Sequence, residues 1–445
     1  MASGIFSRPK KYFTVNRDWG VQRPSPEPHA TMEVHIIGGG VAGLCSAWYL
    51  QEAGFKVTVI DQGGKMGETS YGNAGMIVPS HFVPLAAPGV IAQGIRWMFD
   101  AGSPFYIKPR LSLDLLNWLW HFYRSCNPEH VRRSMPALLD YHLWSKQLYE
   151  EFSGLPEFNF HFEKKGLLML YTTAKAEREE GELVEKAHEV GAVAEVLDAA
   201  GVRALEPDIE TSVRGGIFFP GDAHCSPGLF MQQLKSACIA RGVRWISGTA
   251  ISGISASAGR ITDISLADGR KEKVDKVVLA AGSWSGSIAA SLGLHLPLQD
   301  GKGYSITLQN TAKKPAIPTI LCEARVAITP MGPDVRIGGT LEISHFSQKP
   351  NPRRLAGILE SLPSYYPGWE VPVPPMEQVW QGYRPCSPDG LPYMGFSKKY
   401  PNLCIATGHA MMGMSLGPAT GKWVSELLLG KTPALNTDLF APHRF

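Results

Sequence analysis

The chain has 445 residues, 44% hydrophobic and 19% charged, with 43 basic against 40 acidic side chains and a formal net charge of +3. That composition excludes a disordered chain, and the length suffices for two or three domains around a large core. The surplus charge lies in residues 1–31 and the remainder is neutral overall, which gives no electrostatic ground for a nucleic-acid partner.

The seven cysteines, Cys45, Cys126, Cys225, Cys238, Cys322, Cys386 and Cys404, are scattered and form no C-x-x-C. An odd, unpatterned set suggests a reducing compartment and argues against structural zinc, so no metal is expected. No apolar run reaches the roughly 18 residues needed to span a bilayer. A soluble or at most peripheral protein is expected.

Residues 1–31 are Pro-rich, basic at the start and without periodicity. They are expected to be an upstream start, an expression remnant or a flexible tail, with Met32 the natural beginning of the fold; a basic targeting segment is the competing reading. Val34 to Ile37 then reads as a short buried strand. Gly38, Gly40 and Gly43 have the G-x-G-x-x-G spacing, Val41 to Ala53 reads as a helix, and Lys56 to Ile60 as a second strand ending on Asp61. The first glycine makes the tight turn, the second lets backbone approach a pyrophosphate, and the third lets helix and strand pack closely. The helix N-terminus offers free N–H groups to the phosphates. Asp61, 23 residues after Gly38, stands where a carboxylate binds ribose hydroxyls. These elements in this order point to a dinucleotide, without deciding between FAD and NAD.

The loop 65–80 alternates small residues with hydroxyls and an amide, so Thr69, Ser70 and Asn73 can donate hydrogen bonds to a cofactor. Residues 85–150 are rich in large aromatics, among them Trp97, Phe99, Trp118, Trp120, Phe122, Tyr123 and Trp144. They read as core and a domain contact or, with Arg96, Lys108 and Arg110, as an interfacial or quinone-facing surface. Leu111 to Phe122 has the pattern of an amphipathic helix. A strand (Gly166 to Tyr171) and a charged helix (Ala174 to Val190) follow. Next come a helix (Pro227 to Ala240), a strand (Val243 to Ile246), a hairpin with turns near Gly259 and Gly269, and a buried strand from Lys276 to Ala281. Residues 301–345 read as strands with Gly turns, and 350–375 as a helix and a Pro-rich connector. From Val379 the order is strand, turn, strand (Leu403 to Ala406), Gly-rich turn and helix (Met414 to Leu429). Pieces of one α/β unit thus alternate with pieces of a strand-rich one, and ligands of such sheets sit beyond the carboxyl ends of the strands.

Two later segments mirror the first glycine turn: Ala280-Ala281-Gly282-Ser283-Trp284 and the stretch from Thr407 to Gly421. The second opens a helix whose dipole and free N–H groups suit an anionic ring edge. Between them lies Gly382-Tyr383-Arg384-Pro385-Cys386-Ser387-Pro388-Asp389. Arg384 can hold a substrate carboxylate bidentately; the competing structural reading pairs it with Asp389. His409 is a candidate base, while His81, His224 and His345 read as structural. Cys386 is a remote candidate for covalent flavin attachment.

These segments resemble the FAD-dependent D-amino-acid dehydrogenases of the small-subunit type, within the wider group of glycine, sarcosine and D-amino-acid oxidases. The matching stretches are Val57 to Asp61, Glu68 to Gly75, Ala87 to Val90 with Arg96 to Phe99, Lys302 to Ser305, Ala327 to Thr329, Arg336 to Gly339, Gly382 to Pro385, Thr407 to His409, and the terminal Arg444-Phe445. The resemblance implies FAD, bound at Gly38, Gly40, Val41, Ala42, Gly43 and Asp61 on the ADP side. It places Thr69, Ser70, Asn73, Ala74, Gly75 and Met76 along the pyrophosphate and flavin, and Ile251 at the adenine. Gly282, Trp284, Arg384, Gly408, Gly413, Met414 and Ser415 complete the cofactor site. It makes Arg384 the carboxylate contact and Tyr304 a substrate contact. The ending after His409 departs toward the glycine-oxidase type, which bears on the substrate side chain and not on the cofactor.

The expected fold is α/β: a Rossmann-type FAD-binding domain (32–84, 214–300, 384–445) interleaved with a strand-rich α+β substrate-binding domain (85–213, 301–383). The expected reaction is oxidation of a D-amino acid, or a cyclic or N-substituted relative, by hydride transfer from Cα to flavin N5. The imine hydrolyses to a 2-oxo acid and ammonia. The expected partners are a small amino-acid substrate and a quinone or other electron acceptor. The expected location is cytoplasmic, with peripheral contact at the inner face of the membrane. The alternatives are an oxygen-using oxidase of glycine, sarcosine or hydroxyproline, a NAD-dependent dehydrogenase, and a non-catalytic flavoprotein.

Overall fold

A computed structural model describes residues 32–64, 69–92, 94, 105–107, 112–344, 350–435 and 437–445. The aromatic and basic positions 96–99, 108, 110 and 111, the loop residues 65–68, His345 and the extension 1–31 lie outside them.

Short, mostly apolar runs build a six-stranded sheet. Its order is Tyr393–Phe396, Leu403–Thr407, Lys276–Leu279, Glu33–Ile37, Lys56–Asp61 and Arg244–Ser247. All neighbours are parallel except the antiparallel edge strand Tyr393–Phe396. Such runs suit a parallel sheet because both faces are covered. Val34, Ile36, Val57, Val59 and Val278 pack on one face with helices Val41–Glu52 and Gly413–Leu428. Ile37, Ile60, Val277 and Leu279 pack on the other with a three-stranded sheet, Ile251–Ser257, Arg260–Leu266 and Lys271–Lys273. The alternation follows from successive side chains of a strand pointing to opposite faces.

The second sheet has nine strands. Its main path is Trp380–Cys386, Gln299–Leu308, Asp334–Ile343, Val326–Met331, Thr319–Leu321, Leu167–Tyr171, Gly215–Phe219 and Glu195–Asp198, with Phe105–Ile107 beside Asp334–Ile343. Gly215–Phe219 therefore pairs with this sheet, and the hand-over to the first falls after Phe219. Ile306, Ile328, Ile337 and Leu168 cover one face with Leu355 and Ile358 of helix Pro352–Ser361. The opposite face is turned toward the glycine-rich loop around residues 69–76.

Two helices differ from expectation. Leu113–Ser125 starts later than read, because the Ser112 hydroxyl accepts from the Leu115 N–H and caps it there. The 26-residue helix Pro128–Ser153 was not anticipated. Its start has a strong local signal, Asn127 as cap with Pro128 at the first helical position. Trp118, Phe122 and Trp144 are core residues, whereas Trp120 and Tyr123 are exposed. No helix among the described residues is long and apolar enough to cross a membrane.

Helices Val41–Glu52 and Gly413–Leu428 cross with almost no side chain between them. A Cβ on Gly421 would lie 2.2 Å from the Cys45 carbonyl carbon, and one on Gly417 would lie 2.4 Å from Val41 Cγ2. Gly421→Val should therefore destabilise the fold by about 1–3 kcal/mol through overpacking, read from urea or thermal melts. A variant as stable as the parent would show that the helices separate freely.

Candidate functional site

One cavity of about 870 Å³ lies between the two sheets. It begins where four parallel strands end, at Ile37, Ile60–Asp61, Ala280 and Ala406–Thr407, and it reaches Met169 and Leu341 on the second sheet. That volume is at the upper end for small-ligand sites and is elongated by its lining.

At one end Gly38 adopts φ +108° and a Cβ there would lie 2.4 Å from Ala280 O, so only glycine turns the chain here. Gly43 packs its helix on the strand: a Cβ would sit 1.9 Å from Gly38 O. Gly40 faces the cavity, its Cβ direction meeting only Ser70 Oγ at 3.4 Å. The Val41 N–H donates to Ser70 Oγ (3.0 Å), while Ala42 and Gly43 carry first-turn amides without an intrahelical acceptor. Asp61 accepts from the Gly39 N–H (2.7 Å) and the Gly63 N–H (2.8 Å), which fixes its carboxylate at the cavity wall. Its remaining lone pairs suit vicinal hydroxyls. Thr249, Ala250 and Ile251 line the same end.

The loop after Thr69 is stitched to the second sheet by backbone bonds. Thr69 Oγ1 donates to Tyr383 O and accepts from the Tyr383 N–H, both at 3.3 Å, closing an exposed strand edge. Asn73 Oδ1 accepts from the Gly75 N–H, and Arg336 donates to the carbonyls of Tyr71 and Asn73. Burial holds the Arg336 guanidinium down to about 10, so it stays cationic at neutral pH and pins the loop. Ala74 and Met76 line the cavity; Gly75 (φ +76°) lies behind it, where a Cβ would meet Cys225 O at 2.2 Å.

Gly282, Ser283 and Trp284 form the second glycine turn at the wall, with Gly282 O accepting from Thr407 Oγ1. Gly413, Met414 and Ser415 form the third. Gly408 (φ +82°) makes the turn but does not line the cavity. The Ser415 hydroxyl is committed to the fold. It accepts from the Val78 N–H (2.9 Å) and bonds His142 Nδ1 (2.8 Å), so its backbone and not its side chain is offered to a ligand.

The other wall is a floor of glycines carrying two flat groups. Trp380, Gly382 and Arg384 alternate onto one face of their strand, and Gly382 pairs with Gly303 of the next. A Cβ on Gly303 would lie 2.3–2.5 Å from the Arg384 guanidinium; one on Gly382 or Gly72 would lie 2.0–2.1 Å from the Trp380 indole. The guanidinium and the indole thus lie side by side on backbone. Arg384 donates to Thr340 O (2.7 Å), and no carboxylate among the described residues is within ion-pair reach of it. Burial lowers its pKa from the ordinary arginine value.

Arg384 does not pair with Asp389. Asp389 belongs to Arg444, which donates to its two oxygens at 2.7 and 2.9 Å from a nearly buried position. Tyr304 stands at the edge of the core. It borders the cavity, yet its ring packs with Ile306 and Ile337 and its hydroxyl accepts from the Asn351 N–H (3.3 Å). Its neighbour Ser305 also lines the cavity and donates to Gly72 O. His409 lines the cavity, but its Nε2 bonds Thr420 Oγ1 (3.0 Å). Thr420 donates to Leu416 O and also meets the Tyr141 hydroxyl, so its oxygen takes the His409 Nε2–H as acceptor. Burial holds His409 down to about 4, a neutral ring and a weak base. Cys386 is fully buried, off the cavity, and its thiol is pushed up to about 12. His224 is buried. His81, expected to be structural, lines the cavity. Trp380, Thr340 and His81 line the cavity and Gly303 underlies Arg384; pattern reading missed all four. The only signal was local: two glycines, 303 and 382, in strand interiors, where glycine marks close approach.

Two substitutions separate the roles. Gly303→Ala must displace the guanidinium, and should weaken binding of a small carboxylate about tenfold or more while melting near the parent. Asp389→Asn breaks a buried pair and should cost about 3–5 kcal/mol of stability while sparing that binding. The reverse pattern would return Arg384 to a purely structural role.

A family model described as "DAO: FAD dependent oxidoreductase" matches residues 33–427. The chain is 34% identical over 421 residues to a D-amino acid dehydrogenase of Methylobacterium sp. (strain 4-46), covering 93% of this chain and 99% of that one. It is 32% identical to a D-amino acid dehydrogenase of Neisseria meningitidis serogroup C, covering 93% and 100%. Among solved structures it superposes on glycine oxidase from Geobacillus kaustophilus with a TM-score of 0.73 at 22% identity, covering 93% and 100%. It superposes on L-amino acid deaminase from Proteus vulgaris with a TM-score of 0.71 at 16% identity, covering 95% and 99%. The glycine cradle, the free first-turn amides, the anchored Asp61 and the length of the cavity fit FAD. On the match across nearly the whole chain, the protein belongs to the DAO family of FAD-dependent oxidoreductases.

Proposed function

We propose that the protein is a dehydrogenase that oxidises a D-amino acid, or a cyclic or N-substituted relative, at its Cα–N bond. Its family makes FAD the cofactor and removes the NAD-dependent alternative. The observation that carries the substrate reading is Arg384: a buried guanidinium with no carboxylate partner among the described residues, held flat in the cavity that also contains the dinucleotide cradle. A buried cation of this kind calls for an anion, and an α-carboxylate is its two-pronged complement. The names of the full-length relatives support the same class.

The Thr340 carbonyl holds one guanidinium nitrogen, which orients the rest toward the cavity. With the carboxylate fixed there, the Cα hydrogen has one approach and the amine another. Val83, Pro84, Leu85 and Met412 supply an apolar lining that excludes water from the reacting carbon. FAD, when bound, supplies the acceptor for the hydride. The imine leaves to hydrolysis, giving a 2-oxo acid and ammonia when the amine is primary. Electrons pass on to a quinone or another non-oxygen acceptor. The exposed Trp120 and Tyr123 suit peripheral contact with a membrane carrying such an acceptor.

Purified protein should be yellow and release FAD on denaturation, and Gly40→Val should release it from the fold by placing a side chain in the pyrophosphate path. D-amino acids should bleach the flavin anaerobically, and reoxidation should be faster with a quinone analogue than with oxygen; stoichiometric peroxide at a comparable rate would assign the protein to the oxidases. Arg384→Ala should keep FAD yet lose about 2–5 kcal/mol of transition-state binding, roughly thirty-fold to several-thousand-fold in kcat/KM. Arg384→Lys should recover part of it. Equal oxidation of amino acids and their amides by the parent would remove the carboxylate role.

A further inference from the structure

The loop after Met76–Ile77 carries a second polar constellation, outside the carboxylate site. Met76–Ile77 pairs with Ala223–His224, and this short ladder brings Ser80 against Asp222. Asp222 is 1% exposed; its Oδ1 accepts from the Ser80 N–H (3.0 Å) and its Oδ2 from the Ser80 hydroxyl (2.5 Å). Ser80 Oγ, having donated to Asp222, accepts from His81 Nδ1–H at 3.1 Å. That tautomer leaves His81 Nε2 as an acceptor on a ring lining the cavity. A carboxylate, a hydroxyl and an imidazole therefore stand in series, with only the imidazole reaching the ligand space.

We propose that Asp222, Ser80 and His81 form a relay that takes the ammonium proton of the bound amino acid out of the cavity. The inference rests on the amino-acid reading above. An amino acid enters as the ammonium form, and the nitrogen lone pair must be free before the Cα–H electron pair can leave. In an enclosed site that proton needs an acceptor. It passes to His81 Nε2, the Nδ1 proton passes to Ser80 Oγ, and the Ser80 proton passes to Asp222. The carboxylate becomes a carboxylic acid and no electrons move. The proton returns along the same path when the product leaves.

The surroundings are consistent with this direction of flow. Arg325 stands beside His81 from the turn before Val326–Met331, leaning toward Glu180 at 3.9 Å. His142 approaches from helix Pro128–Ser153 and is kept neutral by burial, while Lys146 of the same helix faces Asp222. Burial and then Arg325 hold His81 down to about 4, so its ring is neutral and, as a weak base, hands a proton on toward Asp222 and does not keep it. Burial raises Asp222 to about 7, so it is the member of the series that retains a proton. Below that value Asp222 is already protonated and the relay is full. Flavin reduction should fall as the pH drops through it and be sustained above it.

The test is anaerobic stopped-flow reduction of the holoenzyme flavin by a D-amino acid across pH, for the parent, Asp222→Asn and His81→Gln. Near neutral pH each variant should reduce the flavin about a hundredfold more slowly, the size of a lost acid–base contribution. The deficit should vanish at high pH, where the free amine predominates, with FAD content unchanged. A readout independent of turnover is the infrared difference spectrum on adding 2-aminoisobutyrate, which has no Cα hydrogen. The parent should gain a protonated-carboxyl band that Asp222→Asn lacks. A loss equal at all pH values, a parental profile in both variants, or no band in the parent would overturn the relay. Should Asp222→Asn fail to fold, His81→Gln and the parental infrared band decide. If no amino acid reduces the parental flavin, the functional reading fails first.

Discussion

Backbone contact between two helices sets the geometry on which the site depends. Helix Val41–Glu52 opens the first glycine turn and helix Gly413–Leu428 opens the third, and both N-termini reach the same cavity. They do so because Gly417 and Gly421 let the second helix lie directly on Val41 and Cys45. A wider separation would move two sets of free N–H groups apart, and the partial positive charge of a helix end falls off within one turn. Convergence of the turns is thus a packing result, produced by missing side chains.

The same device recurs at the opposite wall. Arg384 and Trp380 lie flat because Gly303, Gly382 and Gly72 leave nothing to stand on except backbone. A long cation would ordinarily snorkel to water. Here it is laid along a strand pair and fastened to Thr340 O. The carboxylate nearest in sequence is removed from competition by Arg444, which also donates to the carbonyls of Leu391, Pro392, Phe440 and Ala441. The C-terminal residues therefore act at a distance on the site: they satisfy Asp389, so it does not pair with Arg384.

Polar side chains around the cavity divide into those spent on the fold and those left over. Thr69, Ser70, Asn73 and Ser415 are hydroxyl or amide side chains of the kind that binds phosphates, yet each holds a loop or helix end in place. His409 is likewise saturated at Nε2 by Thr420. His81 differs, because its chain of partners runs inward to Asp222 and ends there.

The sequence alone determined the dinucleotide half of this protein. The strand at Val34, the glycines at 38, 40 and 43, the helix and Asp61 are local: their meaning depends on spacing within about thirty residues, and backbone sterics enforce it. The later glycine turns and Arg384 were legible for the same reason. Tertiary structure decided what each polar group is free to do. That Asp389 does not meet Arg384 depends on Arg444, 55 residues beyond Asp389. Strand alternation sends the ring of Tyr304 to a buried cluster at the cavity edge and turns Ser305 toward the Gly72 carbonyl. His81 joined a series of polar partners because the ladder to Ala223–His224 brought Asp222 under Ser80. Hydrogen-bond partners far apart in sequence carry no periodic signature, so their pairing appears only once the chain has folded.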